Sequence, residues 1–412
     1  MTDLEQSADV VIIGAGPAGA VAGALLKRKG YRVVILEKQT FPRFSIGESL
    51  LPQCMAFIEQ AGMLDAVRAA GFQYKNGAAF RYQEQYSFFD FREKFTPGWG
   101  TTFQVQRSNF DKILADSAAE QGVSIHYQHE ITAVDNRDDG VTVSGLDATG
   151  KPFSLEGRFL LDASGFGRVL PRLLALESPS GFPLRHSLFT HVVDHIGDEQ
   201  HDRNKILVTI HPQHRDVWYW LIPFGNGTCS LGVVAEPSFF ERYSELKPEA
   251  RLRTLVQQDP ALSQLLANAE FNQPVREIHG YAANVSSLCG PGYALLGNAG
   301  EFLDPVFSSG VTIALKSASL AAEVLDRQLS GDAVDWQQDY AKPLKKGVDV
   351  FRVFVESWYD GRFQDAIFYD SANVNIRKMI SSILAGYAWD QANPFVSQAE
   401  RRLNAIVEIC RG

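Results

Sequence analysis

A glycine-rich turn between two apolar segments near the start of the chain restricts its fold more than any other feature. Residues 9–13 form a short apolar run with β-branched side chains, which is typical of a buried parallel strand. An alanine-rich helical stretch reaches to about residue 29, and between the two stand the turn residues Gly14, Gly16, Ala18 and Gly19. This order of strand, glycine turn and helix predicts a dinucleotide-binding βαβ unit.

Each glycine of the turn has its own physical role. Gly14 permits the tight turn, Gly16 lets the backbone approach a pyrophosphate, and Gly19 lets the helix pack against the strand. The helix N-terminus also presents backbone N–H groups and a positive dipole end to the phosphates. Glu37 ends the second strand, residues 31–36, where it can accept hydrogen bonds from both ribose hydroxyls. An acid at this position disfavours a 2′-phosphate, and therefore NADP.

Two later segments favour FAD over NAD. Residues 159–165 form an apolar strand with Asp162 near its end, and residues 293–300 form another that enters a turn at Gly297 and Asn298. This arrangement resembles the large family of FAD-dependent monooxygenases and reductases, in which a late Gly-Asp turn holds the ribityl chain and the phosphates. Asn298 stands here in place of the acid, and its amide can still hydrogen-bond a ribityl hydroxyl.

The order of elements predicts an α/β fold with three regions. These are a discontinuous Rossmann-like FAD-binding domain, an antiparallel-sheet substrate domain and a helical C-terminal region. The predicted boundaries are 1–78, 106–185 and 286–330 for the FAD domain, 79–105 and 186–285 for the sheet domain, and 331–412 for the helical region.

Local patterns predict several individual elements. Helices are expected near residues 53–70 and 237–266, and from Gly310 to about residue 329. Ser108 is predicted to cap a helix that opens at about residue 107. A tight turn is expected at Asp138-Asp139-Gly140.

Four further segments carry a closer resemblance. They are the Phe-Pro-Arg and Gly-Glu-Ser elements within residues 41–49, a lysine within residues 71–77, a W-x-W-x-I-P strand at residues 218–223, and an F-x-x-P-x-x-S-x-G turn at residues 302–310. Together they resemble the flavin-dependent halogenases across residues 8–330.

The resemblance implies roles for particular residues. Lys75 matches the catalytic lysine of the family, and backbone at Ser309 and Gly310 matches its halide site. The implied wall between the cofactor and the substrate consists of Trp218, Trp220, Ile222, Pro223, Phe302, Phe307 and Ser308. The glycine-turn motif and the resemblance together imply the cofactor-binding set Gly14, Gly16, Ala18, Gly19, Glu37, Lys38, Arg43, Ser49, Arg107, Asp162, Gly297, Asn298, Pro305, Gly310 and Val311.

The chemistry implied by the family is oxidation of a halide. Reduced FAD and O₂ give a C4a-hydroperoxide, which halide converts to hypohalous acid. Lys75 then captures this oxidant, either as an N-haloamine or through a hydrogen bond that polarises it. A buried lysine amine shifts its pKa readily, whereas arginine does not. The sequence has no second nucleotide motif, so a separate flavin reductase is expected to supply reduced FAD.

The same segments also have simpler interpretations. Lys75 could be a solvated loop lysine, Trp218 and Trp220 could be ordinary core residues, and residues 308–310 could be a plain helix cap. The enzymatic alternative is an FAD-dependent monooxygenase or a geranylgeranyl-reductase-like oxidoreductase. A protein that only binds flavin or lipid is the alternative from another class.

One position of the late turn bears on the substrate. Halogenases that act on free tryptophan carry a glutamate two residues after the proline, and Phe307 stands there in this chain. Without that carboxylate the substrate should be intrinsically nucleophilic, such as a phenol or a pyrrole, either free or tethered to an acyl carrier protein. The aromatic stretch 351–369 could line the substrate cavity or pack as core.

Composition argues against several other classes of protein. The net charge is −9 without a sustained basic run, which argues against a nucleic-acid surface. The four cysteines lack metal-ligand spacing, so no metal site is expected, and their scatter suits a reduced protein. The first six residues are polar and do not resemble a secretory signal, and no apolar run is long enough to span a bilayer. A cytoplasmic location is therefore expected.

Overall fold

The computed structural model describes residues 4–137, 140–369 and 373–411. The predicted Asp138-Asp139 turn lies outside these residues. The strands, in chain order, are β1 (Ser7–Ile13), β2 (Val33–Glu37), β3 (Gln73–Lys75), β4 (Gly77–Tyr82), β5 (Gln85–Asp90), β6 (Thr102–Gln104), β7 (Ser124–Tyr127), β8 (Glu130–Arg137), β9 (Gly140–Leu146), β10 (Pro152–Asp162), β11 (Glu177–Ser178), β12 (His186–Val193), β13 (Lys205–Ile210), β14 (Trp218–Pro223), β15 (Thr228–Ala235), β16 (Arg276–His279), β17 (Asn284–Val285), β18 (Cys289–Gly290) and β19 (Tyr293–Leu295).

Helices pack in the main core and in the second core, and they make up most of the C-terminal third. In chain order they are α1 (Pro17–Arg28), α2 (Gln53–Gln60), α3 (Leu64–Ala69), α4 (Arg107–Glu120), α5 (Val169–Leu173), α6 (Pro237–Glu241), α7 (Pro248–Gln257), α8 (Pro260–Leu265), α9 (Ser309–Leu329), α10 (Lys342–Tyr359), α11 (Arg362–Phe368), α12 (Val374–Leu384), α13 (Pro394–Ser397) and α14 (Ala399–Arg411). Short 3-10 turns at Gly165–Gly167, Gly297–Ala299 and Pro305–Phe307 and a π-helical turn at Gln337–Ala341 connect them.

The first sheet has a parallel centre. Strand β1 lies between β10 and β2, and all three run parallel, with β19 and β7 added in parallel at either side. Both faces of this centre are covered, so β2 is buried along its whole length. The antiparallel strands β8 and β9 extend β10 beyond it. This is the core of the predicted Rossmann-like nucleotide-binding domain.

The second sheet has seven strands in the order β16-β12-β15-β14-β13-β4-β5. The prediction of a purely antiparallel sheet is wrong at one pair, because β4 and β13 run parallel. Strand β4 starts two residues after Lys75, the last residue of β3. Side chains alternate along β14, so that Trp218 and Trp220 face the main core, whereas Tyr219 faces a second core with α6–α8.

Three predictions of helices need correction. The helix expected at 53–70 is broken into α2 and α3 because Gly62 adopts a left-handed backbone with φ +71°. The helix expected at 237–266 is three helices, since a proline begins each of α6, α7 and α8. The N-cap of α4 is Gln106 rather than Ser108. The helix predicted from Gly310 is present as α9.

The C-terminal helices pack against both sheets. Trp358 of α10 is fully buried, and its ring lies 6.0 Å from that of Phe80 and 5.9 Å from that of Phe307. Of the helices in the described ranges, none is both long and apolar enough to cross a bilayer. The predicted α/β architecture with a helical C-terminal region is confirmed, whereas the exact domain boundaries stay a prediction.

Candidate active site

The glycine turn is closed too tightly for side chains at two of its positions. A Cβ atom at Gly19 would lie 1.9 Å from the carbonyl oxygen of Gly14, and one at Gly14 would lie 2.8 Å from the carbonyl oxygen of Ala163. Gly16 differs, because its added Cβ would meet only the Arg43 guanidinium, at 3.4 Å. The missing side chain at Gly16 therefore leaves free space beside the turn, as expected where a cofactor binds.

This difference predicts that alanine at position 19 lowers stability, whereas alanine at position 16 weakens FAD binding. Gly19→Ala should lower the free energy of unfolding by about 3 kcal/mol, because the helix must move off the strand. Gly16→Ala should leave the melting temperature nearly unchanged and weaken FAD binding by roughly tenfold, because the methyl group occupies the approach to the pyrophosphate. Thermal melting and FAD titration of both variants test this. Equal FAD affinity of Gly16→Ala and the parent would contradict it.

The acid at the end of β2 supports the turn directly. Glu37 accepts hydrogen bonds from the backbone N–H of Ala15 at 2.9 Å and of Gln39 at 2.9 Å. The Arg43 guanidinium lies 3.9 Å from the Glu37 carboxylate. Lys38 points elsewhere, with its amine 2.6 Å from Glu130 at the surface. The ribose contact predicted for Glu37 and the cofactor contact predicted for Lys38 stay predictions.

Arg107 holds the segment that follows β2. Arg107 forms a bidentate pair with Asp111, at 2.7 and 3.0 Å, and donates a further hydrogen bond to the carbonyl of Ile46. A Cβ at Gly47 would lie 2.9 Å from the Arg107 guanidinium and 3.6 Å from the side chain of Val311. Arg107 thus fixes residues 46–47 against the start of α9.

Several buried polar atoms around this segment have no hydrogen-bond partner within the described part of the chain. They include Arg43 Nε, Glu48 Oε2, Ser49 Oγ and Asn298 Oδ1. Such atoms cost free energy unless a ligand or water satisfies them. Arg43, Ser49 and Asn298 belong to the set predicted for FAD, so these residues fit this cofactor.

Asp162 and Gly297 make contacts within the chain itself. The Asp162 carboxylate accepts hydrogen bonds from the backbone N–H of Ser164 at 2.8 Å and of Leu170 at 2.7 Å. Burial raises the pKa of this carboxyl above its usual value. The Gly297 N–H donates to Ser317 Oγ at 2.9 Å. Both residues shape turns at the carboxyl ends of parallel strands, where ligands bind in such sheets.

The late turn ends at the N-terminus of a long helix. Pro305–Phe307 form a 3-10 turn, Ser308 has a left-handed backbone with φ +56°, and α9 begins at Ser309. The Ser308 side chain makes no capping hydrogen bond, so the plain-cap interpretation finds no support. The first backbone N–H groups of a helix have no intrahelical acceptor and carry its positive dipole end. A Cβ at Gly310 would lie 3.1 Å from the Phe302 ring, which shows how closely these residues pack.

Lys75 is buried, contrary to the interpretation as a solvated lysine. Its exposed fraction is 1%, and its Nζ donates a hydrogen bond to the carbonyl of Leu50 at 2.7 Å. The ammonium also lies 5.5 Å from the centre of the Phe91 ring. Burial lowers the pKa of Lys75 to about 7. Near neutral pH a large fraction of this amine is therefore uncharged and nucleophilic.

A cavity joins Lys75 to the late turn. It is narrow, with a volume of about 10 Å³, and its lining residues are Leu51, Lys75, Ala78, Phe80, Phe91, Ile206, Val208, Val306, Phe307, Ser308 and Leu384. Lys75 is the one ionisable side chain among these described residues. The structure therefore places the predicted catalytic lysine, Phe307 and Ser308 in one largely apolar space.

The tryptophans of β14 lie beside this cavity rather than in its lining. Trp220 pairs across the sheet with Val208, which does line the cavity. The indole N–H of Trp220 donates to Ser230 Oγ, and that of Trp218 donates to Tyr359 OH, both at 3.0 Å. Both rings are buried. Pro223 ends the strand opposite Cys229.

Sequence reasoning missed several residues of the site. The Leu50 carbonyl, Phe91 and the hydrogen-bond partners of Trp218 carry no local motif. Asp304 could have been noticed, since it directly precedes Pro305 within the late turn. The Tyr359 hydroxyl donates a hydrogen bond to the Asp304 carboxylate. This hydrogen bond has no sequence signal, because the two residues are far apart along the chain.

The comparison with known families agrees with this geometry. The family described as "FAD binding domain" matches residues 7–340, most of the chain. The chain belongs to this FAD-binding family. Its cofactor is FAD.

Named relatives refine the family assignment. A tryptophan 2-halogenase of Chondromyces crocatus is 29% identical over 80% of this chain, although the match spans only 63% of that protein's length. A 1H-pyrrole-2-carbonyl-[peptidyl-carrier protein] brominase of Pseudoalteromonas luteoviolacea is 28% identical over 93% of both chains. The predicted relationship to the flavin-dependent halogenases is confirmed, and with it the prediction of a flavin-dependent oxidoreductase.

Two solved structures match this chain over nearly its whole length. The flavin-dependent brominase Bmp2 is 27% identical with a TM-score of 0.84, over 98% of this chain and 99% of that chain. A structure titled flavoprotein/dehydrogenase, from Cytophaga hutchinsonii, is 43% identical with a TM-score of 0.95, over 98% of this chain and 99% of that one.

Proposed function

We propose that this FAD-binding enzyme halogenates an electron-rich aromatic ring, with Lys75 as the residue that delivers the halogen. The observation that carries the proposal is the burial of Lys75 in the same cavity as the late turn, with a pKa lowered to about 7. A lysine amine is rarely buried without a charged partner, because desolvation of the ammonium is costly. Its presence here calls for a function.

The chain would hold the cofactor and the halide through backbone and polar groups. Arg43, Ser49 and Asn298 offer unpartnered polar atoms to FAD. Reduced FAD with O₂ would supply the oxidising equivalent that converts chloride or bromide to hypohalous acid. The backbone N–H groups of Ser309 and Gly310, at the positive end of α9, would hold the halide without a charged side chain.

Lys75 would then receive the oxidant. The neutral amine can attack the halogen of hypohalous acid, which forms an N–X bond and releases water. Protonated, the same group can donate a hydrogen bond to the oxidant and polarise it. From the N–X bond the halogen passes to a ring carbon, the ring proton goes to nitrogen, and the amine is regenerated. From the hydrogen-bonded hypohalous acid the halogen passes directly to the ring carbon, and the ring proton leaves with the hydroxide as water.

The lining of the cavity favours an electron-rich substrate. Its lining is mostly apolar, and no carboxylate occurs among the described residues that form it. Phe307 occupies the position where a glutamate would stabilise positive charge on the ring. A phenol or pyrrole stabilises that charge itself, so these rings fit the site better than an indole at an unactivated position. Curated relatives include enzymes named for carrier-bound pyrrole-2-carbonyl substrates. We therefore include carrier-tethered rings among the candidate substrates.

A separate flavin reductase is proposed as a partner, since the sequence has no second nucleotide motif. The Cytophaga hutchinsonii protein, titled flavoprotein/dehydrogenase, supports a second candidate function, namely an oxidoreductase that forms no halogenated product. A monooxygenase or reductase of this kind would use the same FAD-binding framework.

Product analysis separates the two candidates. The enzyme is incubated with FAD, a flavin reductase, NADH, O₂ and either bromide or chloride, together with free and carrier-bound phenols and pyrroles. Halogenation predicts a product with the bromine isotope doublet by mass spectrometry, and no such product without halide. A hydroxylated or saturated product that forms equally well without halide would instead support the second candidate.

A further inference from the structure

A buried chain of hydrogen bonds connects the W-x-W-x-I-P strand to the late turn. The indole N–H of Trp218 donates to the Tyr359 hydroxyl at 3.0 Å, and that hydroxyl donates to Asp304 Oδ2 at 2.8 Å. The other carboxylate oxygen of Asp304 accepts from the backbone N–H of Val306 at 2.9 Å. Side chains from β14 and α10 thus act on the backbone of the 3-10 turn.

The Asp304 carboxylate determines the geometry of this turn. Its contact with Val306 fixes the residue that follows Pro305, and the turn continues directly into Ser308 and the start of α9. Ser308 itself makes no capping hydrogen bond. Among the side-chain hydrogen bonds of the described residues, the Asp304 contact is therefore the one that holds the segment just before the proposed halide amides.

The electrostatic surroundings keep the chain of hydrogen bonds oriented. Burial raises the pKa of Asp304 to about 6, so its carboxylate is mainly ionised above neutral pH. Burial also raises the pKa of Tyr359 well above its usual value, which keeps that hydroxyl a donor. The Arg185 guanidinium lies 3.8 Å from the centre of the Tyr359 ring and favours the ionised carboxylate. The hydroxyl of Tyr281 also lies near Asp304 and is buried.

We propose that Asp304 and Tyr359 are positioning residues that hold the late turn against Trp218 and thereby set the affinity for a halide anion at Ser309 and Gly310. This inference rests on the proposed function, because it assumes that the halide binds at those amides. Neither side chain lines the cavity with Lys75 in the described structure, so both act through the turn.

Bromide titration of the FAD-bound protein tests this inference. Sodium bromide is added at pH 7.5, and its dissociation constant is read from the visible absorption of the bound flavin. Tyr359→Phe keeps the ring and removes the hydroxyl, so we expect bromide binding to weaken by about tenfold, the effect of losing a buried hydrogen bond to a charged group. Affinity for FAD should stay close to the parent value, whereas the melting temperature should fall by a few degrees, because a buried hydrogen bond is lost.

Tyr219→Phe is a matched control. Its buried hydroxyl donates to the carbonyl of Leu255 at 2.8 Å on the opposite face of β14. This variant should bind bromide as the parent does. Trp218→Phe removes the first donor of the chain, and the Trp218→Phe/Tyr359→Phe double variant should bind bromide no more weakly than Tyr359→Phe alone.

The outcomes distinguish this inference from the proposed function. Unchanged bromide affinity in Tyr359→Phe, with clear binding by the parent, would overturn the positioning role and leave the halogenase proposal intact. An additive loss in the double variant would also overturn it. A parent protein whose bound flavin does not respond to bromide would overturn the halide site itself, and the inference with it.

Discussion

Replacement of Lys75 by methionine should lower the yield of halogenated product by roughly 10³-fold, within the range found when an acid–base or transfer group is removed. Methionine has a similar length and no amine, so the cavity keeps its shape and loses the group that receives the oxidant. Lys75 is not part of the glycine turn, and it does not belong to the residues predicted to bind FAD, such as Arg43 and Ser49. FAD affinity should therefore stay within a few-fold of the parent value. Product mass spectrometry and FAD titration measure the two effects.

Lys205→Met provides the matched control for this prediction. Lys205 is also buried, but its amine is paired with Asp202 at 2.5 Å and with Asn76 at 3.0 Å, and it does not line the cavity. The control should retain halogenation. If Lys75→Met, or the smaller Lys75→Ala, still made halogenated product at the parent rate, the assignment of Lys75 as the delivering residue would be wrong.

Lys75→Met should also stabilise the protein at low pH. Unfolded lysine has a pKa of about 10.4, whereas burial lowers that of Lys75 to about 7 in the folded state. Between these values the unfolded chain binds the extra proton, so this group makes stability rise with pH across about 7 to 10.4. The destabilisation that comes from burying the Lys75 ammonium is complete at pH values below the pKa of the folded state. It vanishes at pH values above the pKa of the unfolded state. A pKa lowered from about 10.4 to about 7 corresponds to roughly 5 kcal/mol.

Methionine removes this penalty and also leaves the Leu50 carbonyl without its donor, which costs about 1–3 kcal/mol. The net gain at pH 6 is therefore expected to be a few kcal/mol, and near pH 10.5 the variant should be no more stable than the parent. Urea unfolding of both proteins between pH 6 and pH 10.5 measures the difference. A difference that does not vary with pH would mean that Lys75 has an ordinary pKa.

The nucleotide-binding part of the fold could be predicted because its signals are local. Gly14 and Gly16 follow a strand and Gly19 lies in the first turn of α1, so the motif itself is complete within a few residues, although the atom that excludes a side chain at Gly14 belongs to the distant Ala163. Long-range pairing was harder to predict. The parallel pair of β4 and β13 depends on how the chain enters the sheet after Lys75, and alternation along either strand does not reveal it.

The helix boundaries failed for identifiable reasons. A continuous apolar pattern suggested one helix at 237–266, but Pro248 and Pro260 each begin a new helix, and Asp259 caps the last one through the Leu262 N–H. Ser108 looked like a cap, yet it lies inside α4 because the helix already starts at Arg107. Cap residues are common within the first turn as well, so the residue type alone does not fix the boundary.

Motif matching located the candidate site, but it could not give the environment of Lys75. Tyr74, its neighbour in β3, is exposed, and nothing in residues 71–77 indicates that the lysine turns inwards to Leu50. The link between Asp304 and Tyr359 is also invisible in sequence, since it depends on how α10 packs over the late turn. The cofactor roles of Glu37, Lys38 and Asp162 remain predictions, and each of these side chains is engaged within the chain.

The pKa of the Lys75 amine tests the central claim most directly. Protein with carbon-13 at lysine Cε is titrated by NMR, and the Lys75 signal is identified by its absence in Lys75→Met. We predict a titration midpoint of about 7 for this signal, because the amine is buried. A midpoint near 10.4, as for a solvated lysine, would contradict the account of a buried amine that receives the oxidant.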